Sequence, residues 1–158
     1  MPMEIIIGLG EYAISKSKED VIKTYALSSC VAVTVHSPLR QVGGMIHIVL
    51  PDHKMSDSPQ TSAGYYATLG LPYLVQKILN DFGCLKHELV IRLFGGASSI
   101  EKNDVFNIGN KNIEAITNIL DEMKLNYFLS EVGGNISRTI EMDVASGAVK
   151  VYAQPIKV

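Results

Sequence analysis

A thiol and an imidazole brought face to face can open an amide bond, and Cys30 and His47 are placed in this chain to meet in that way. The run Cys30-Val31-Ala32-Val33-Thr34-Val35-His36 is β-branched at every second position. The run from Gln41 to Leu50 is equally apolar and stops at Pro51. Between them, Ser37-Pro38-Leu39-Arg40 carries proline where a type I turn wants it, so the two runs read as an antiparallel hairpin. A turn centred on Pro38 and Leu39 puts Cys30 directly opposite His47, and a three-residue loop would move that register by one. Directly opposed residues have Cβ atoms about 4.5–5.5 Å apart on one face of the sheet. That is the separation a thiol–imidazole couple needs.

The chemistry such a pair offers is acyl transfer. A free thiol with a pKa of about 8.5 is mostly protonated at neutral pH. A neighbouring histidine takes that proton and later returns one to a leaving amine. A third group must orient the imidazole, and backbone N–H donors must receive the oxyanion. Thr24, a little upstream, has a hydroxyl suited to the second imidazole nitrogen. Ser28-Ser29-Cys30 sits where a loop enters a strand, so the Cys30 amide is a candidate oxyanion donor. Each residue also has a plain structural reading. A lone cysteine in a β-branched strand is usually a small buried hydrophobe. A histidine in an apolar strand is usually a satisfied core residue, and a threonine is an ordinary strand residue. The predicted Cys30–His47 pairing is what sets this constellation apart. Cys84, behind Gly83, reads as structural, and His36, His53 and His87 read as solvated residues at loop or strand edges.

The rest of the chain narrows the classes. Its 158 residues suffice for one domain, 1–158, with a core that needs no staples. Net charge is −2 with no basic run, which argues against a nucleic-acid or anionic-membrane footprint. Two cysteines and four histidines form no metal-binding spacing, so neither a metal nor another cofactor is expected. The apolar run Ile5-Ile6-Ile7 behind Glu4 is too short for a signal-peptide core, and no run approaches a membrane span. The expectation is a cytoplasmic protein with reduced thiols and no membrane insertion.

Along the chain, Glu4 to Gly8 and Tyr12 to Ser15 read as short strands, followed by the hairpin of Cys30 to Leu50. Asp52 to Ser62, with Pro59 inside, reads as a polar loop. Helical spacing at Leu71, Leu74, Val75, Ile78, Leu79 and Phe82 stops at Gly83, with Pro72 near the start or at a kink. Leu89 to Phe94 is a predicted strand ending in Gly95-Gly96-Ala97-Ser98, and these glycines read by default as a turn. Ile113, Ile116, Leu120 and Met123 mark a second helix, entered through a loop at Asn107-Ile108-Gly109-Asn110. Asn126 to Val132 is a further strand, and Ser137 to Val144 with Ala148 to Ala153 form a hairpin. Strands outnumbering helices about two to one, with several hairpins, predict an α+β fold with a mixed, largely antiparallel sheet packed against two main helices.

Several ordered segments resemble the CheD family, chemoreceptor glutamine deamidases of bacterial and archaeal chemotaxis. They are Gly8-Leu9-Gly10-Glu11-Tyr12, Ser29-Cys30-Val31-Ala32-Val33, Gly43-Gly44-Met45-Ile46-His47-Ile48-Val49-Leu50-Pro51, Gly95-Gly96-Ala97-Ser98, Asn107-Ile108-Gly109, and Gly133-Gly134-Asn135 with Arg138. The resemblance runs from about Ile7 to about Val151. It implies an α/β sandwich of the kind found in deamidating toxin catalytic domains. It implies Cys30 as nucleophile, His47 as its histidine and Thr24 as the associated threonine, with Ser28 and Ser29 in the oxyanion and substrate loop. The implied reaction hydrolyses glutamine side-chain amides on chemoreceptor cytoplasmic domains, and some members are also credited with cleaving receptor methyl esters. The implied partner is a CheC-type phosphatase. The alternative is a non-catalytic binding module that stimulates that phosphatase. Two departures stand out: Ala26 and Ser28 replace glycines usual before the cysteine, and Lys111 replaces a common arginine. A positive φ at either of the first two would cost on the order of 1 kcal/mol or more.

Overall fold

Period-two patterning becomes two packed sheets, and period-3.6 patterning becomes two helices laid on one of them. The computed structural model describes residues 3–55, 62, 64–98 and 107–156. The strands are β1 (Glu4–Ile6), β2 (Tyr12–Ser15), β3 (Val21–Leu27), β4 (Val31–Ser37), β5 (Val42–Ile48), β6 (Val90–Gly95), β7 (Phe128–Val132), β8 (Ile136–Asp143) and β9 (Val149–Pro155). The α-helices are α1 (Ala67–Phe82) and α2 (Ile108–Glu122). One sheet has the order β1-β3-β8-β9 and the other β2-β5-β4-β6-β7. β1–β3 and β6–β7 are parallel, and the other pairings are antiparallel. This is the anticipated α+β sandwich of mixed, largely antiparallel sheets with two main helices.

Both faces of the five-stranded sheet are covered, which is why β4 and β5 read as nearly unbroken apolar runs. On the outer face Val31, Val33 and Val35 of β4 and Ile46 and Ile48 of β5 meet Leu71, Leu74, Val75 and Ile78 of α1 and Ile116 and Leu120 of α2. On the inner face Ala32, Met45 and Phe94 pack against Ile22, Leu27, Ile140 and Met142 of the second sheet. Burying one such aliphatic side chain contributes about 1.5–3 kcal/mol, so each layer is held mainly by these contacts. Pro72 lies inside α1, in its second turn, and Gly83 ends the helix at a left-handed φ of 67°. The loop expected from Asp52 to Ser62 contains a short 3-10 turn at His53–Met55; Pro59 lies outside the described residues. Among the described residues no helix is long and apolar enough to cross a membrane.

The hairpin forms, but in a different register. Ser37 pairs with Val42 and Ala32 with His47, so the connecting loop is the four residues from Pro38 to Gln41. Gln41 takes a φ of 54°, which a two-residue turn centred on Pro38-Leu39 does not require. Ala32, not Cys30, is therefore opposite His47. The displacement is by two residues, and side chains alternate with a period of two, so Cys30 keeps the expected face. It lies on the diagonal from His47, where residues are about 7–8 Å apart.

Two further expectations change. The sequence pattern does not reveal β3, whose inward positions are Ile22 and Thr24 and whose register shifts at a bulge between Thr24 and Leu27. His36 is not a solvated edge residue. It is 4% exposed, with its Nε2 2.9 Å from the Val144 carbonyl oxygen in the inter-sheet layer.

Candidate active site

The inner faces of the two sheets bring Thr24 and His47 together. Thr24 is fully buried on β3, and its hydroxyl donates to the Ile7 carbonyl at 2.8 Å. The same oxygen lies 2.6 Å from His47 Nδ1. A hydroxyl has one proton to give, and here it goes to Ile7, so Nδ1 must be the donor to Thr24. The network thereby assigns the tautomer: Nδ1 carries the hydrogen and Nε2 keeps its lone pair. Backbone bonds fix the rest of the residue. The His47 N–H donates to the Glu11 carbonyl at 3.0 Å, and the Gly10 N–H donates to the His47 carbonyl at 2.9 Å. Nε2 itself is buried and has no hydrogen-bond partner among the described residues. It is a basic nitrogen held in place and left open.

Cys30 stands just ahead of β4 and packs against the inter-sheet layer, half-buried. Its neighbourhood is anchored from β6 and α2. The carbonyl of Ser28 accepts from the Ala97 N–H at 2.7 Å, and that of Cys30 from the Gly96 N–H at 2.9 Å. The carbonyl of Ser29 accepts from Asn112 Nδ2 at 2.9 Å, and the same Nδ2 lies 3.0 Å from the Val49 carbonyl. One buried side chain thus ties the residue before the thiol to the strand that carries the imidazole. Gly95 has a φ of 106°, and a Cβ there would sit 2.3 Å from the Cys30 oxygen, so only glycine admits this approach. Arg138 braces the same turn: its guanidinium donates to Glu131 at 2.8 Å and to the Gly133 carbonyl at 2.9 Å, with Gly95 O at 3.4 Å.

Burial sets the charge state of the pair. It pushes the Cys30 thiol up to about 11, against a smaller opposing pull from the residue's own backbone N–H. Burial likewise brings His47 down to about 4. At neutral pH the pair rests as a thiol and a neutral imidazole rather than as an ion pair. Proton transfer has to accompany attack, and a hydrogen bond that closes only around substrate suits this arrangement.

Of the residues singled out from the sequence, Thr24 and His47 are in direct contact and Cys30 shares their face. Ser28 and Ser29 are half-buried and enter through their anchored carbonyls. Ala26 does adopt a positive φ, 55°, at the bulge in β3, and its N–H donates to Thr139 Oγ1 at 3.0 Å. Ser28 does not. The sequence pattern does not single out Asn112 or the close packing of Gly95. The available signal for Asn112 was an amide on the apolar stripe of α2, one turn before Ile116.

An α+β sandwich with a half-buried thiol and a tautomer-fixed imidazole on the same face of one sheet has the groups that a thiol-dependent hydrolase of acyl bonds requires. Comparison with known proteins gives the family. Residues 49–153 match the model of the family described as CheD chemotactic sensory transduction. The chain is 40% identical over 151 residues to the probable chemoreceptor glutamine deamidase CheD of Syntrophotalea carbinolica, covering 94% of this chain and 93% of that one. It is 36% identical over 149 residues to the chemoreceptor glutamine deamidase CheD of Thermotoga maritima, covering 94% and 91%. This chain belongs to the CheD family. Thr24, Cys30 and His47 precede the segment matched by the family model but fall within the longer alignments. The Bacillus licheniformis hypothetical protein YfiH shares the fold, with a TM-score of 0.50 at 11% identity, over 77% of this chain and 51% of that one.

Proposed function

We propose that this protein deamidates glutamine side chains of chemoreceptor cytoplasmic domains, with Cys30 as nucleophile. The observation that carries the reading is the lone pair of His47 Nε2, fixed by Thr24 and unpartnered beside the face that bears the thiol. The names of the full-length relatives support the substrate class.

In the first step Cys30 Sγ bonds to the γ-carboxamide carbon while its proton passes to His47 Nε2. The carbonyl oxygen becomes an oxyanion, received by the Cys30 backbone N–H. The imidazolium then gives its proton to the amide nitrogen, the C–N bond breaks and ammonia leaves, with a glutamyl thioester remaining. His47 next takes a proton from water. The hydroxide adds to the thioester carbon, the C–S bond breaks, and the proton returns to sulfur. Thr24 positions the imidazole throughout and touches no substrate. The thiol and the neutral imidazole are both restored and one water is consumed, so no cofactor is required.

A CheC-type phosphatase as partner, suggested by the family resemblance, belongs to this proposal. Ammonia release from a receptor cytoplasmic fragment tests the catalytic part. Cys30→Ala should abolish release while still binding the phosphatase. Unchanged release from that variant would rule out Cys30 as nucleophile, whereas no release from the parent chain, with the phosphatase still bound, would leave the binding-module reading in its place.

A further inference from the structure

A well-formed cavity lies away from the thiol. It lies between the sheets beyond Ala32, has a volume of about 420 Å³, and opens between β4, β6 and the β8–β9 turn. Along β4 it begins at Thr34, four residues past Cys30, or about 13 Å at strand rise. Its lining breaks the rule that inward positions of a sandwich are apolar. Thr34 and Arg92 are directly paired across β4 and β6, His36 follows two residues on, and all three line the cavity.

These polar groups are not equally satisfied. His36 is bonded through Nε2 to the Val144 carbonyl. Thr34 is 2% exposed, and its hydroxyl has no hydrogen-bond partner among the described residues. Arg92 is half-buried and stacks over Phe128 at 5.0 Å, and its one side-chain hydrogen bond among the described residues is a long 3.4 Å contact to Ser130 Oγ. A guanidinium has five N–H donors, so most of them are left without a protein partner among the described residues at the cavity Arg92 lines. Among the described lining residues there is no carboxylate to neutralise it, while Phe94 supplies an apolar floor.

We infer that this cavity is a second ligand site, distinct from the thiol centre, for a small molecule with an oxyanion group on an apolar body. The Arg92 guanidinium and the Thr34 hydroxyl take the oxyanion, and the body lies against Phe94. Such a volume and such a mixture of apolar walls with few convergent donors are those of small-molecule sites. Carboxylates and phosphates share the required chemistry, because a guanidinium fork fits both.

The test is an NMR titration of the full chain with benzoate and phenyl phosphate, with benzyl alcohol as the neutral control. Saturable shifts are expected at Thr34, His36, Arg92 and the 146–149 turn for at least one anion, with binding more than tenfold weaker for benzyl alcohol. Stronger binding of phenyl phosphate identifies a phosphoryl compound, and stronger binding of benzoate a carboxylate. Arg92→Met should weaken the bound anion at least tenfold and Thr34→Val severalfold, while Lys18→Met, at an exposed lysine, changes nothing. The inference is overturned if neither anion gives saturable shifts there, if benzyl alcohol binds as well as the anions, or if folded Arg92→Met binds normally.

Discussion

Replacing Thr24 with valine removes one oxygen from the site and little else, so its consequences are calculable. Two buried groups lose their partner: the Ile7 carbonyl and His47 Nδ1–H, now 2.8 and 2.6 Å from the hydroxyl oxygen. A buried polar group left unsatisfied costs about 1–3 kcal/mol, so the variant should lose roughly 2–6 kcal/mol. A domain of this size has about 5–15 kcal/mol in total, so Thr24→Val should remain folded at moderate temperature. Its catalytic defect should be larger than its stability defect implies. Without an acceptor at Nδ1 the imidazole is free to carry its proton on Nε2, where it cannot act as base. General-base catalysis contributes about 10²–10⁴-fold, so a fall in kcat on the order of 10² is expected. KM should barely move, because Thr24 is fully buried and contacts no substrate. Thr24→Ser, which restores the hydroxyl, should recover most of the rate. The assay is ammonia release from a receptor fragment, with urea denaturation in parallel. A folded Thr24→Val with the kcat of the parent would refute the positioning argument.

Asn112→Ala should lower stability by about 2 kcal/mol, since it unpairs the carbonyls of Ser29 and Val49, and it should lower kcat more than it raises KM; denaturation curves and steady-state kinetics check both. Ala26→Gly should add about 1 kcal/mol, because glycine accepts a φ of 55° without the Cβ clash, and thermal melts should rise with activity unchanged. Because burial holds the Cys30 thiol near 11, iodoacetamide alkylation of Cys30 should climb about tenfold per pH unit between roughly pH 7 and 9; a plateau below pH 8 would mean an ion pair instead. His47 titrates near 4 when folded against 6.5 when free, so between those values only the unfolded chain binds the proton. Stability should therefore be full above about pH 6.5 and fall by about 3 kcal/mol as pH drops toward 4, a loss that His47→Gln should remove from pH-dependent melts.

The parts of the fold that were legible in the sequence are those where one physical rule acts alone. α1 shows apolar spacing up to Phe82 and a glycine stop at Gly83. The β4–β5 hairpin shows β-branched alternation and Pro38. Its register is not legible, because loop length depends on Gln41 tolerating a positive φ, which nothing in its side chain announces. The face of Cys30 survived only because the error was even. β3 escaped notice because the residue that makes it interesting also spoils its pattern: Thr24 puts a hydroxyl on the inward face, and the bulge at Ala26 breaks the alternation beyond it. The burial of His36 is hidden for a related reason, since its partner, Val144 O, is distant in sequence. The site was legible as residue types and as a family pattern. Its charge state was not, because burial of thiol and imidazole is a property of both sheets together.

The measurement closest to the central claim is an acid-quenched mass spectrum of the Cys30 peptide, taken during turnover on a glutamine-bearing receptor fragment. A receptor glutamyl group joined to Cys30 through a thioester, absent from the Cys84 peptide, is the predicted result. Steady conversion of glutamine to glutamate with Cys30 unmodified throughout, and undiminished when Cys30 is alanine, would contradict it.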